Sequence, residues 1–197
     1  MVAYEAPSWD EIYEMCIDLA SMIKASGFKP DLIVGIARGG WVPARLLSDF
    51  LDNPNITSIK VEFYLDIGKT RDEPSITQDI QVSVAGRKVL LVDDVADTGK
   101  SLMLVKNHLK DMGASETRIA CLYFKPWSIV KPDYYVRETE AWIIFPHEIR
   151  ESATKIWLKV KAEGGSLRDV KRILMEAGVK RKIVNRIVKE FLHDSGT

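Results

Sequence analysis

The stretch VLLVDDVADTGKSL, residues 89–102, decides the fold. It opens with four apolar residues that predict a buried strand, and it ends in the first turn of a helix with apolar periodicity. Three carboxylates lie between the two, Asp93, Asp94 and Asp97. Because open α/β sheets bind ligands at the carboxyl ends of their strands, these acids are candidate ligand contacts.

The loop between strand and helix is predicted to bind a phosphate, because backbone N–H groups at a helix start favour an anion. Its residues are Ala96, Asp97, Thr98, Gly99, Lys100 and Ser101. Carboxylates beside a phosphate suit the hydroxyl pair of a sugar, and with it an oxygen-preferring Mg²⁺ ion. Gly99-Lys100-Ser101 imitates the end of a P-loop, but that motif requires glycine where Asp94 stands. The alternative is a tight turn whose acids only cap the helix.

The stretch resembles the phosphoribosyl-pyrophosphate (PRPP) motif of the type I phosphoribosyltransferases. The resemblance implies that Asp93 and Asp94 bind the ribose hydroxyls, directly or through Mg²⁺, with Asp94 as the metal ligand. It implies that residues 96–101 wrap the 5′-phosphate. In the purine-using members, the acid corresponding to Asp97 faces N7 of the base and handles its proton, so Asp97 is the expected catalytic residue.

A second element, Gly35-Ile36-Ala37-Arg38-Gly39-Gly40, ends an apolar strand with an arginine among small residues. Arginine offers bidentate donors to phosphate, and glycine permits close backbone approach. Alone, the element is equally well a surface turn. Beside the PRPP motif it resembles the pyrophosphate loop of the family, which implies that Ala37, Arg38 and Gly39 bind pyrophosphate and that the Ala37–Arg38 peptide is cis.

A third element concerns a base. Lys125-Pro126 and, further on, Trp142-Ile143 are similar to the hood of 6-oxopurine phosphoribosyltransferases, particularly the xanthine–guanine type. The similarity implies that Lys125 donates to O6, that Trp142 stacks on the purine, and that Ile143 presents backbone atoms to its edge. The alternatives are core packing for Trp142 and a solvated strand end for Lys125.

Strands and helices alternate over residues 1–147, which predicts one α/β domain with a mostly parallel sheet. Apolar runs at 31–37, 58–64, 88–94 and 118–124 are the predicted strands, with short extra ones at 133–136 and 142–145. A capping box, Ser8 to Glu11, predicts the first helix start, and Gly27 its end. The polar residues 65–79 predict a long loop, a lid over the site.

Residues 148–197 predict a different unit, a C-terminal extension of three amphipathic helices separated by Gly164-Gly165 and Gly178. From His147 onward the chain carries a net charge of +5, against −5 before it. This difference in net charge favours an extension that docks as a cap on residues 1–147. Basic residues at 180–182 also fit a DNA-binding helix-turn-helix, which would make the protein a PRPP-sensing regulator.

Composition narrows the class further. With 28 basic and 28 acidic residues, the chain shows no overall charge for nucleic acid or membrane. It shows no signal peptide and no apolar run long enough for a bilayer, so we expect a cytoplasmic protein. Cys16 and Cys121 lie in apolar patterns, which favours buried reduced thiols over a disulfide.

The resemblance implies a purine-salvage enzyme that converts Mg²⁺–PRPP and a purine base to a nucleoside 5′-monophosphate and pyrophosphate. Family members commonly form homodimers or homotetramers. A cationic donor at Lys125 matches the O6 of hypoxanthine, guanine or xanthine. The helical extension is absent from the short xanthine–guanine type and occurs in archaeal relatives that include adenine-using enzymes, so adenine remains an alternative base.

Overall fold

The computed structural model describes residues 3–63 and 73–194, and the chain divides into two compact units. The larger unit spans residues 12–139 and the smaller combines residues 1–11 with 140–197. In chain order the elements are β1 (Tyr4–Glu5), α1 (Trp9–Ala25), β2 (Leu32–Ala37), α2 (Trp41–Phe50), β3 (Ile56–Phe63), β4 (Pro74–Gln78), β5 (Lys88–Ala96), α3 (Lys100–Asp111), β6 (Glu116–Phe124), β7 (Tyr134–Glu138), β8 (Trp142–Ile143), α4 (Ile149–Ala162), α5 (Leu167–Glu176) and α6 (Arg181–Asp194).

The larger unit contains a six-stranded sheet in the order β4-β3-β2-β5-β6-β7. Every neighbouring pair is parallel except β3 and β4. Neighbouring residues of β5 enter different apolar clusters, Leu91 one and Leu90 the other. Since successive strand side chains point to opposite faces, the sheet is covered on both faces. The predicted α/β fold with a mostly parallel sheet is confirmed.

The predicted loop at 65–79 is wrong over its second half. Residues Pro74–Gln78 form β4, an edge strand antiparallel to β3, with Val61 opposite Ile76. A proline is tolerated as the first residue of an edge strand, and Ile76 packs against the apolar core. The sequence shows no strand pattern here, because Ile76 is the one residue of β4 that packs against the core and its neighbours are polar. The first half of the predicted lid, residues 65–72, lies outside the described residues.

The smaller unit contains the three predicted helices and a two-stranded parallel sheet of β1 and β8. Helices α4, α5 and α6 share an apolar cluster in which Val170, Leu174 and Val184 are fully buried. Residues 140–147 group with these helices because β8 pairs with the N-terminal strand, so the division falls a few residues before the predicted boundary at 147. Strand β1 was not predicted. No helix in the described ranges has the length and apolar character to cross a membrane.

Candidate active site

The candidate site lies at the point where the strand order of the sheet reverses. Strand β2 pairs with β5, while the chain continues from β2 to β3 on one side and from β5 to β6 on the other. Such a reversal opens a crevice at the carboxyl ends of the two central strands, which is where doubly wound sheets bind ligands. The two loops singled out in the sequence, after β2 and after β5, both start at this edge.

The end of β5 places two carboxylates side by side. The backbone N–H of Asp94 donates to Oδ1 of Asp93 at 3.0 Å, and Asp94 is buried, with 7% of its surface exposed. Withdrawal from water and, after it, the negative charge of Asp94 raise the pKa of Asp93 well above its usual range. A bound cation or hydroxyl donors would relieve this repulsion, so the pair is suited to a sugar diol and a metal ion.

The loop from Ala96 to Ser101 turns directly from β5 into α3. Gly99 caps the helix with a positive φ of 79°, and as glycine it has no side chain to occupy the first helical N–H groups. The N–H of Lys100 reaches Oγ1 of Thr98 at 3.4 Å. Asp97 and Thr98 are exposed. The loop therefore has the form predicted for a phosphate-binding turn at a helix start.

The loop after β2 packs tightly on the end of β5. A Cβ atom at Gly39 would collide with the Asp94 carboxylate, and one at Gly40 would collide with the carbonyl oxygen of Val92. Only glycine allows this approach, which is why the sequence has two of them here. The Ala37–Arg38 peptide is cis, as the resemblance implied. The structure thus brings Gly39 against Asp94 and Gly40 close to Asp93.

A second cation, Lys60, lies beside this loop and was missed by sequence reasoning. It stands opposite Ala37 in the β2–β3 register, and its Nζ lies 2.8 Å from Oε1 of Glu62. The pKa of the exposed Glu62 is lowered first by Lys60, then by Thr77, with a smaller contribution from the charge of Arg38. Arg38 and Lys60 therefore both act on the Glu62 carboxylate. Nothing in the sequence distinguished Lys60, because lysine is common on strands near the edge of a sheet.

A turn after β6, residues 125–130, packs on the phosphate-binding loop. The N–H of Lys125 donates to the carbonyl of Ala96, and the N–H of Ile129 to that of Thr98, each at 3.0 Å. Between them, Nε1 of Trp127 donates to Oδ1 of Asp97, also at 3.0 Å. Lys125 is buried, with 5% exposed, and its Nζ lies 5.5 Å from the centre of the Trp127 ring. Lys125 is thus no solvated strand end, and Trp127, which the sequence analysis did not single out, contacts both Lys125 and Asp97.

Trp142 and Ile143 belong to the smaller unit, in β8. Trp142 is 44% exposed, which excludes simple core packing, and Nζ of Lys155 lies 5.9 Å from its ring centre. The N–H of Trp142 donates to the carbonyl of Ala3, just before β1, and that of Ile144 donates to the carbonyl of Glu5 in β1. Because hydrogen bonding alternates along a strand, the N–H and C=O of Ile143 point to the opposite edge of β8.

Two glycine-lined loops at a topological switch point, with paired acids beneath them, are the arrangement with which α/β proteins bind phosphorylated ligands. Comparisons identify the family. A model described as "Phosphoribosyl transferase domain" matches residues 8–152. The chain therefore belongs to the phosphoribosyltransferase domain family. The match ends within α4, so α5 and α6 lie beyond it.

Individual relatives agree. A xanthine-guanine phosphoribosyltransferase of Cereibacter sphaeroides is 32% identical in an alignment of 151 positions that covers 72% of this chain and 85% of that protein. A hypoxanthine-guanine phosphoribosyltransferase of Saccharomyces cerevisiae is 31% identical in an alignment of 128 positions that covers 56% of this chain and 57% of that protein. The structure of a purine phosphoribosyltransferase from Pyrococcus horikoshii superposes with a TM-score of 0.67 at 42% identity, covering 74% of this chain and 93% of that one.

Proposed function

We propose that this protein transfers the 5-phosphoribosyl group of PRPP to a 6-oxopurine, releasing pyrophosphate. The observation that carries the proposal is the junction of the two loops at the switch point, where Gly39 lies against Asp94. It brings a candidate pyrophosphate loop within contact of candidate ribose ligands, as a substrate carrying both groups requires. The xanthine-guanine and hypoxanthine-guanine enzymes among the relatives support the choice of base.

In this proposal the PRPP molecule is bound along the edge of β2 and β5. Asp93 and Asp94 accept hydrogen bonds from the ribose hydroxyls, and the turn from Ala96 to Ser101 holds the 5′-phosphate with its N–H groups and hydroxyls. Ala37, Arg38 and Gly39 hold the pyrophosphate. Arg38 and Lys60 supply positive charge at that end, and the guanidinium offers two parallel donors to phosphate oxygens.

The donor set fits Mg²⁺. The ion prefers carboxylate oxygens, usually binds proteins through one or two of them, and takes its remaining ligands from water and substrate phosphates. Asp94 and Asp93 provide two such carboxylates, and within the described ranges there is no group of three or more His, Cys, Asp or Glu that would form an all-protein cage. Asp94 would hold the ion together with PRPP, and the bound ion would neutralise charge on the pyrophosphate.

The base would be recognised by Lys125, Trp142 and Ile143. Lys125 donates to the O6 of the purine, Trp142 stacks on its ring, and the outward N–H and C=O of Ile143 meet its edge. A buried ammonium opposes the exocyclic amine of adenine, which needs an acceptor, and matches a carbonyl oxygen. The adenine alternative is therefore not favoured. The relatives are named as transferases, so the DNA-binding regulator is not favoured either.

The chemistry follows from these positions. N9 of the purine attacks C1′ of the ribose, the bond from C1′ to the pyrophosphate oxygen breaks, and the electron pair leaves with pyrophosphate. Positive charge develops on the ribose, beside the carboxylates of Asp93 and Asp94, while Arg38 and Lys60 stabilise the leaving group. Asp97 accepts the proton that the base loses. Positioning and electrostatics supply most of the rate enhancement.

The test is to incubate the protein with Mg²⁺ and PRPP plus hypoxanthine, guanine, xanthine or adenine, one at a time. We expect nucleoside monophosphate and pyrophosphate in equal amounts with 6-oxopurines, and slower turnover with adenine. A reaction without base measures hydrolysis of PRPP as the control. Turnover with adenine alone would refute the assignment of the base. No nucleotide from any of the four would refute the enzymatic function.

We propose further that the three-helix extension, residues 148–197, caps the protein near the base, that the protein forms a homodimer or homotetramer, and that it acts in the cytoplasm in purine salvage. The opposite net charges of the two parts of the sequence support the cap. A chain ending after Arg150 should lose base affinity more than PRPP affinity. The oligomeric state is a separate question, which sedimentation of the full chain measures. Unchanged KM for the base in a folded truncated chain would refute the cap.

A further inference from the structure

Trp127, a large aromatic residue, lies in the turn of residues 125–130 and has no role in the proposed contacts with PRPP or the base. Every second residue of the turn donates a hydrogen bond to successive residues of the phosphate-binding loop: Lys125 to Ala96, Trp127 to Asp97, and Ile129 to Thr98. The first and third are backbone bonds, which any residue could make. The second comes from the indole N–H, so it depends on tryptophan.

The hydrogen bond from Trp127 restrains the side chain of Asp97. Asp97 is exposed and stands in a turn between β5 and α3, so its side chain has room to rotate. Donation from Nε1 to Oδ1 at 3.0 Å fixes one oxygen and thereby the direction of the other. A general base must lie within hydrogen-bond reach of the proton that it abstracts. A carboxylate held in one orientation therefore transfers the proton faster than one that rotates.

The same ring also contacts Lys125. The ammonium lies 5.5 Å from the ring centre, within the range in which the face of an indole attracts a cation. The edge of Trp127 therefore holds an anion while its face attracts a cation. These are the acid and the lysine that the proposed function assigns to the purine. About half of the Trp127 side chain is nevertheless exposed, so core packing does not account for it.

We propose that Trp127 is a positioning residue for the base, which sets the orientation of Asp97 through its indole N–H and that of Lys125 through its ring face. This role rests on the proposed function, because it acts on the two side chains expected to contact the purine. The backbone bonds of Lys125 and Ile129 keep the turn in place when the side chain at 127 changes. The role is therefore separable from folding of the loop.

Trp127→Phe keeps an aromatic face for Lys125 and removes the N–H. We expect the single-turnover rate with a 6-oxopurine to fall roughly 10- to 100-fold, the range for losing one hydrogen bond to a charged group. The dissociation constant of Mg²⁺–PRPP should change less than about twofold, because the N–H groups of residues 96–101 remain in place. Benzothienylalanine at position 127, which replaces the N–H by sulfur at nearly constant shape, should reproduce the loss. Trp9→Phe, at a similarly exposed tryptophan in the smaller unit, is the matched control and should retain the wild-type rate.

A double-mutant cycle separates positioning from bracing of the loop. In an Asp97→Asn background, Trp127→Phe should lower the rate by less than about twofold, because the group that it orients has lost its function. An undiminished effect in that background, or a parallel loss of PRPP affinity, would overturn the positioning role. An unchanged rate in Trp127→Phe would overturn it as well.

A readout without turnover tests the hydrogen bond itself. The indole N–H resonance of Trp127 should exchange with solvent more slowly than that of Trp9, and this protection should be lost in Asp97→Ala. Equally fast exchange at the two tryptophans would overturn the proposal. An inactive wild-type protein would refute the proposed function and with it this role, whereas an active protein indifferent to Trp127→Phe would refute this role alone.

Discussion

Gly39→Ala perturbs the candidate site through a single neighbour. The three heavy atoms nearest to a Cβ at this position all belong to the carboxyl group of Asp94. Gly39 is not among the glycines with a positive φ, so alanine brings no strain from that source. The substitution therefore moves one carboxylate and leaves the backbone of the loop in an allowed conformation.

The size of the effect follows from the distances. The new Cβ would lie 2.6 Å from Cγ and 2.7 Å from Oδ1 of Asp94, whereas ordinary contacts begin at 3.4 Å. The carboxylate must retreat by roughly 1 Å, and a misplacement of that size can cost about 10²-fold in rate. We expect kcat/KM for PRPP to fall by about that factor. The KM for the base should change little, because Asp94 is not among its contacts.

The assay is steady-state kinetics with PRPP as the varied substrate, supported by calorimetric titration of Mg²⁺–PRPP. Gly27→Ala is the control: it has a φ of 74° and nothing within 4 Å of the added methyl group. It should lower stability by about 1–2 kcal/mol through backbone strain and leave PRPP affinity unchanged. A folded Gly39→Ala protein with wild-type PRPP affinity would refute the assignment of Asp94 to the PRPP site.

Three further predictions concern other parts of the chain. Arg38→Ala should weaken binding of PRPP and pyrophosphate but not of the nucleotide product, and equal weakening of all three in titrations would show that Arg38 is structural. Gly99→Ala should lower both stability and PRPP affinity, since its Cβ would lie 2.6 Å from Oγ of Ser128, while Gly86→Ala, with a similar φ and open space, should affect stability alone in thermal melts. Leu174→Ala removes a fully buried side chain of the helical unit and should cost about 2–5 kcal/mol in denaturant unfolding, and a cost near zero would contradict the packing of α5.

Local chemistry made much of the larger unit predictable. Ser8 and Glu11 form the predicted capping box, with the N–H of Ser8 donating to Oε2 of Glu11 at 2.8 Å and that of Glu11 to Oγ of Ser8 at 3.2 Å. Gly27 has the predicted positive φ of 74° just after α1. Such signals lie within a few residues of the structure that they specify. The apolar runs of β2, β5 and β6 were equally clear because both faces of the sheet are covered.

The features that the sequence analysis did not predict depend on contacts between distant parts of the chain. Strand β4 rests on pairing with β3, and β1 rests on pairing with β8, which lies more than 130 residues away. Trp127 reaches the candidate site because the turn after β6 packs against Asp97. A tryptophan in a polar turn carries no periodic signal of its own. The motifs predicted which acids and glycines meet at the candidate site, whereas only the packing places the indole N–H of Trp127 on Asp97.

Asp97→Asn tests the proposed mechanism most directly, because it keeps the size of the side chain and removes the carboxylate that we propose as the acceptor of the proton from the base. The two quantities to measure on this variant are the single-turnover rate with saturating PRPP and the dissociation constant of Mg²⁺–PRPP. General base catalysis by one side chain contributes roughly 10²–10⁴-fold, so the rate should fall within about that range while PRPP affinity, held by Asp93, Asp94 and the amide groups of the loop, stays within about threefold. A full rate in Asp97→Asn, or a loss of rate matched by an equal loss of PRPP affinity, would contradict the assignment of Asp97 to the base.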